Sequence, residues 1–313
     1  MELVRNFKKL DKNDVDLAGG KGASLGEMTR VGIPVPPGFV ILANAFDRFL
    51  DETDLRTDID AQLAKVNHND INTVDRYSNV IRDLIDRAEI PKDIAKEIKD
   101  EFKKLDAKYV AVRSSATAED SSSASWAGEL ESYLNTTDKD LLDKVKKCWS
   151  SLFTPRAIFY RFEKKLHTTK VSVAVVVQKM AQSKVSGIAF TVHPVTEDEN
   201  QMIIEAGWGL GEAIVSGMVT PDAYVIDKRD FSIVDINIAD QQKQIIKTSK
   251  GNEFVKVDDN KREEQKLVGA KIVELAKICA SIEKHYKFPC DIEWAMENDE
   301  FYIVQSRPIT TLS

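Results

Sequence analysis

The hydrophobic period of this chain changes once, and the change divides it. Across the first half, apolar residues recur at helical spacing: Ile71, Val74, Tyr77, Val80, Ile81, Leu84, Ile85 and Ala88 fall on one face, and Pro91 opens a second such stretch through Leu105. From "VSVAVVVQKM" onward the pattern is that of successive strands, "SGIAFTV", "NQMIIEAGW", "DAYVID", "SIVDINIA" and "QIIKTS", separated by turn residues. A chain of 313 residues exceeds one ordinary core, so an α+β protein of two lobes with a cleft between them is expected, the boundary lying near Gln178 to Met180. Residues 1–178 form a mixed lobe, in which "KYVAVRS" is a strand among helices. Residues 179–313 form a sheet-rich lobe ending in a long helix, Glu263 to about Tyr286, and the hairpin "CDIEWAMENDEFYIVQSRP".

Charge narrows the partners. With 51 acidic against 44 basic residues, nothing sequence-wide favours nucleic acid or an anionic membrane, so any phosphate site must be local. Cys148, Cys279 and Cys290 lack C-x-x-C spacing, and their odd number fits free thiols in a reducing cytosol. The start "MELVRNFKKLDKND" has no apolar leader core, and the longest apolar run, around "VSVAVVV", is too short to cross a bilayer; a soluble cytoplasmic protein is expected.

Three stretches carry chemistry. In "GGKGASLGEM", Gly19, Gly20 and Gly22 let backbone N–H groups approach an anion, Lys21 adds a charge, and the helix start that follows adds a positive dipole end. The spacing is not that of a Walker A loop, and a glycine-rich turn before a helix is often only a turn. In "AVRSSATAEDSSSASWAGELES", alternation leaves Arg113 at the end of a strand, and the hydroxyl-rich loop after it, with Gly128, reads either as a flap over phosphates or as a solvated loop. Arg113 favours the flap.

The third stretch is the last hairpin, where strict alternation puts Asp291, Glu293 and Ala295 on one face and Phe301, Ile303, Gln305 and Arg307 on one face. A two-residue turn at Asn298 and Asp299 would pair Glu293 with Val304. A three-residue loop through Glu300 pairs it with Gln305, and Asp291 with Arg307. The three-residue loop is predicted, giving hard oxygen ligands for Mg²⁺ beside a guanidinium clamp; the plainer alternative is an exposed face with one cross-strand ion pair. "IEAGWGLGEAIVSG" fails the dinucleotide spacing, the run "KVKKCWSSLFTPRAIFYRF" fits helices with buried aromatics, and the four histidines have no metal spacing.

In this order, "GGKGASLGEM", "AVRSSATAEDSSSASWAG", "VVVQKM", "GLGEAIVSGMVTPD" and "DIEWAMENDEFYIVQSRPIT" resemble the ATP-grasp nucleotide-binding domain of the phosphoenolpyruvate synthase and pyruvate phosphate dikinase family, over nearly the whole chain. The resemblance implies two α+β lobes closing over ATP. Lys21 and Arg113 would touch phosphates under a flap bearing Gly128 and Ser132, with Gln178 near the nucleotide and the backbone of Met180 facing adenine. It also implies that Asp291, Glu293 and Gln305 hold Mg²⁺ and that Arg307 contacts phosphate, making Lys21, Arg113 and Arg307 the catalytic charge clamp. Phosphoryl groups would pass to a histidine on a swivelling domain and then to pyruvate; neither the histidine motif nor a pyruvate-binding segment is present in these residues. Rifamycin-type antibiotic phosphotransferases have a similar ATP domain, and a non-catalytic nucleotide-binding module is the third reading. Trp126, Glu129 and Ser132 stand where the family commonly has Phe, Gln and Thr.

Overall fold

The strand expected at "KYVAVRS" lies inside a sheet whose neighbours come from distant parts of the chain. A computed structural model describes residues 2–117, 130–166, 171–249 and 251–310. The fold is α+β, and its pairings are antiparallel. The contacts divide the chain into two units, one formed by the residues up to Arg30 with Pro37–Met180, the other by Val31–Pro36 with the chain from Ala181 onward. The sequence reading put its boundary after Gln178 and gave the short proline-rich stretch to the first lobe.

In the first unit, β1 (Val4–Asn6), β2 (Gly38–Ile41), β3 (Val110–Ala116), β4 (Ser132–Thr136) and β5 (Val173–Lys179) form one sheet in the order β1-β2-β5-β3-β4. Its helices are α1 (Val15–Arg30), α2 (Ala43–Glu52), α3 (Leu55–Leu63), α4 (Ile71–Arg87), α5 (Lys92–Leu105), α6 (Leu141–Ser150) and α7 (Pro155–Glu163). The apolar run of β5 is buried from Val173 through Gln178 because helices cover both faces, the usual cause of an unbroken rather than alternating strand. Val110, Val112, Val173, Val175 and Val177 join Phe46, Phe49 and Trp149 in the core, the rings of Phe49 and Trp149 stacking at 4.9 Å. On α4 the helical face is narrower than its sequence pattern: Val74, Ile81 and Ile85 are buried, whereas Ile71 and Val80 are exposed.

The second unit contains β6 (Val185–Phe190), β7 (Gln201–Trp208), α8 (Glu212–Val215), β8 (Asp222–Asp227), β9 (Ile233–Asn237), β10 (Lys243–Thr248), β11 (Gly251–Lys256), α9 (Gly269–Tyr286), β12 (Cys290–Glu297) and β13 (Glu300–Pro308). Six strands form a sheet in the order β13-β12-β6-β7-β8-β9, and β10 pairs with β11 separately. One face is covered, with Met202, Ile204, Ala206, Tyr224, Ile226, Ile292 and Trp294 buried; α9 buries Ile272, Leu275, Ala276, Cys279 and Ile282. The opposite face, carrying Ile188, Phe190, Ile203, Glu205, Ala223, Asp291 and Glu293, is only half-buried.

The long helix starts at Gly269, not at Glu263. The preceding residues are held in another conformation by a buried network. The Lys266 ammonium lies 2.9 Å from Asp222 Oδ1, the Lys266 N–H donates to Asp222 Oδ2, and the Leu267 N–H donates to the Tyr224 hydroxyl. Both charged side chains are wholly excluded from solvent, so their partners are what makes the burial tolerable.

Candidate functional site

The glycine-rich stretch is not a turn ahead of a helix. The helix begins at Val15 and bends at Gly19, whose φ of 68° and ψ of 172° interrupt helical geometry before it resumes. Ser115 explains the bend. Its hydroxyl donates to the Ala18 carbonyl at 2.9 Å and accepts the Gly22 N–H at 3.3 Å. A Cβ on residue 19 would stand 2.2 Å from Ser115 Oγ and 2.4 Å from the Ser115 carbonyl oxygen, so only glycine permits the approach. Lys21 follows the bend by two residues.

Sheet register gathers the other candidates of this unit. On β3, Ala111, Arg113 and Ser115 alternate onto the face where α1 lies. Arg113 stands opposite Val176 and Ser132, and Ala111 opposite Gln178. Arg113, Ser132 and Gln178 therefore share one face with Ser115. Arg113 and Gln178 are buried, 8% and 2% exposed, while Ser132 is exposed. At the end of β5 the Met180 N–H donates to the Tyr109 carbonyl. Gly128, Trp126 and Glu129 lie outside the described residues.

Ser114, on the opposite face, donates to the Glu131 carbonyl at 3.0 Å and stands 2.8 Å from Ser151 Oγ. The Glu131 carboxylate accepts from Arg82 at 2.8 Å and from the Tyr133 hydroxyl, fixing the start of β4 next to Ser132. The sequence reading singled out neither Ser115 nor Glu131. Their signal was a hydroxyl two positions after Arg113 and a carboxylate one position before Ser132.

In the second unit, the pairing of Glu293 with Gln305 and of Asp291 with Arg307 holds, but the turn behind it is different. Asn298 and Asp299 form a two-residue turn, both with positive φ (52° and 64°), and Glu297 pairs with Glu300. The register then shifts after Glu293, leaving Val304 as the extra residue of a β-bulge. The bulge also breaks strict alternation. Phe301 and Ile303 lie on the covered face, Phe301 packing edge-on against Trp294, and Gln305 and Arg307 emerge on the face of Glu293 and Asp291. The expected sharing of one face by Phe301, Ile303, Gln305 and Arg307 is thereby corrected. Beside the bulge, the Ile303 N–H donates to the Pro34 carbonyl at 2.8 Å.

The electrostatics of this face are those of crowded carboxylates. Arg307 donates from Nε and Nη2 to Asp291 Oδ2, at 2.8 and 2.7 Å. Burial nevertheless pushes the Asp291 carboxyl above its ordinary range, and Glu293 pushes in the same direction while Arg307 opposes. Glu205, which lies in the row Gln305, Glu293, Ile188, Glu205, is also raised, first by burial and then by Asp291. The sequence reading missed Glu205, a lone acid in the apolar strand "NQMIIEAGW". Two carboxylates and an amide oxygen on one face are a donor set suited to a hard cation, which would relieve their mutual repulsion. Among the described residues, no three His, Cys, Asp or Glu side chains are grouped to hold a metal.

The remaining motifs are structural. His193 Nδ1 accepts two backbone N–H groups, His68 stacks on Phe162, and Trp149 of the basic and aromatic run is fully buried. All three cysteines are free and buried, and burial pushes the thiols of Cys148 and Cys290 up to about 12. Among the described residues no helix is long and apolar enough to cross a membrane.

A family model described as pyruvate phosphate dikinase, AMP/ATP-binding domain, matches residues 15–313. The chain belongs to that family. A probable phosphoenolpyruvate synthase of Methanocaldococcus jannaschii is 47% identical over all of this chain, which covers 27% of that relative. The phosphoenolpyruvate synthase of Pyrococcus furiosus is 42% identical over 99% of the chain and 44% of its own length. Rifampicin phosphotransferase of Bacillus subtilis is 38% identical over 99% of the chain and 36% of its own length. The chain thus spans less than half the length of these relatives.

Proposed function

We propose that this chain is the Mg·ATP-binding part of a cytoplasmic phosphoenolpyruvate synthase, a phosphotransferase with paired acceptors, pyruvate and water. The observation that carries the reading is the match of an AMP/ATP-binding family across residues 15–313, together with two polar faces whose groups suit a polyphosphate. In this reading the first unit contributes Lys21, Arg113, Gln178, Met180 and Ser132, with Gly128 on the intervening loop, and adopts the ATP-grasp mode of nucleotide binding. The second contributes Arg307 and the oxygens of Asp291, Glu293 and Gln305, which would hold magnesium; the bound ion supplies charge neutralisation at phosphate oxygens.

Phosphoryl transfer asks the protein mainly for alignment and charge stabilisation, since charge spreads over the equatorial oxygens of the transferred group. Lys21, Arg113 and Arg307 supply that charge. The nearly complete burial of Arg113 keeps its guanidinium fixed and strengthens its field. In this reading the acceptor is a histidine on a swivelling domain, which would pass the group to pyruvate in a further domain; the greater length of the relatives leaves room for both.

The Bacillus subtilis relative supports a second reading, in which the same ATP chemistry serves an antibiotic acceptor. Two chimeras, joining this chain to the remaining segment of the Pyrococcus furiosus relative or to that of the Bacillus subtilis relative, set the two readings against each other. Pyruvate-dependent release of AMP and phosphate is expected of the first; antibiotic-dependent turnover by the second alone would sink the synthase reading.

A further inference from the structure

Ser115 holds a position that the charge clamp does not account for. Where α1 resumes after its bend, Gly19 occupies the N-cap position and Gly22 the third helical position. At such a start the N-cap side chain ordinarily accepts the N–H of the second or third residue, and glycine has no side chain to offer. The missing hydroxyl comes from another element. Ser115 on β3 accepts the Gly22 N–H at 3.3 Å, and the same oxygen donates to the Ala18 carbonyl at 2.9 Å on the other side of the bend. Ser115 is wholly buried, and the 2.2 Å that a Cβ at residue 19 would leave to its Oγ shows how closely the two backbones approach.

We propose that Ser115 is a positioning residue for phosphate recognition, capping across the sheet the helix segment that carries Lys21 and so fixing that segment relative to Arg113. The inference rests on the Mg·ATP reading. The link is short. Arg113 and Ser115 are two residues apart on one strand face, so about 7 Å of β-strand separates the cation on the sheet from the clasp that holds the glycine bend. The Ser115 hydroxyl bonds to both sides of the bend, so strand and bend are joined there. The consequence is selective: the clasp orders the groups that meet phosphates and leaves adenine recognition, assigned above to the backbone of Met180, to other residues.

The test compares Mg·ATP with adenosine in calorimetric titrations of the wild-type chain, Ser115→Ala and Ser115→Thr. Loss of a cap hydroxyl predicts Mg·ATP binding about five- to tenfold weaker in Ser115→Ala, with adenosine affinity unchanged, and retention of the ATP-to-adenosine ratio in Ser115→Thr. Equal weakening of both ligands would assign Ser115 a merely structural part and overturn the proposal, as would unchanged Mg·ATP affinity. A wild-type chain that binds no Mg·ATP overturns the nucleotide reading and this proposal with it, an outcome distinct from binding that is indifferent to Ser115. Should Ser115→Ala fail to fold, amide exchange at Gly22 in the wild type decides: slow exchange is expected of the clasp, and exchange at the rate of open backbone contradicts it.

Discussion

Arg113 in the first unit and Asp291 in the second are both charged groups on antiparallel sheets, yet they are held by different means. Arg113 stands on a sheet covered by helices on both faces, where the glycine bend is brought within hydrogen-bond reach of β3 and fastened by one hydroxyl. Asp291, Glu293, Gln305 and Arg307 stand on the half-buried face of their sheet, aligned by strand register and, for Asp291 and Arg307, by the ion pair between them. Close approach demands particular small residues, Gly19 and Ser115, whereas register demands only a turn, a bulge and an apolar back. The first arrangement should therefore be brittle at its contact points, and the second tolerant except where a charge loses its partner.

The largest expected effect concerns the back of the second unit. Lys266→Met would leave Asp222 as a buried carboxylate without its ammonium, at a cost of about 3–5 kcal/mol in urea unfolding. A loss below 1 kcal/mol would contradict the pair as a support of that unit. Next, Gly19→Ala adds a Cβ in contact with Ser115 at a positive φ, and about 2–4 kcal/mol is expected from strain and overpacking, read as a lowered unfolding midpoint. An unchanged midpoint would mean the first unit is not brittle there.

The sequence made these expectations legible unevenly. The α+β class followed from a change of period, but the strand end expected at Arg113 is absent: β3 runs on to Ala116, the hydroxyls of Ser114 and Ser115 finding buried partners, and Arg113 stands in mid-strand. The pairing of Glu293 with Gln305 in the last hairpin was reached through the wrong turn. A three-residue loop and a two-residue turn followed by a bulge give the same partner for Glu293, and pattern alone does not distinguish them. Faces do: with Phe301 and Ile303 apolar and Gln305 and Arg307 polar, strict alternation would set large apolar groups beside the carboxylates, and the bulge avoids this. The late start of α9 was hidden because Asp222 and Tyr224, which hold residues 266 and 267, lie about forty residues upstream. Ser115 was hidden for a similar reason, its partners being nearly a hundred residues away.

On the open face, Arg307→Ala should weaken Mg·ATP binding by roughly 1.5–3 kcal/mol, the scale of a charge-assisted hydrogen bond. A variant that binds normally would exclude Arg307 from the phosphate clamp. The smallest effect is a gain. Asp299→Gly suits the second position of a turn with two positive φ values, and about 0.5 kcal/mol of added stability is expected in urea unfolding. Destabilisation instead would count against the two-residue turn and the bulge that follows from it.

The most direct test of the central claim is a calorimetric titration of the chain with Mg·ATP, beside Lys21→Ala from the first unit and Arg307→Ala from the second, at matched ionic strength. Binding by the wild type that each substitution weakens is the predicted result. Wild-type binding indifferent to both substitutions, or no binding at millimolar Mg·ATP, would contradict the proposed part of Lys21 and Arg307 in nucleotide binding.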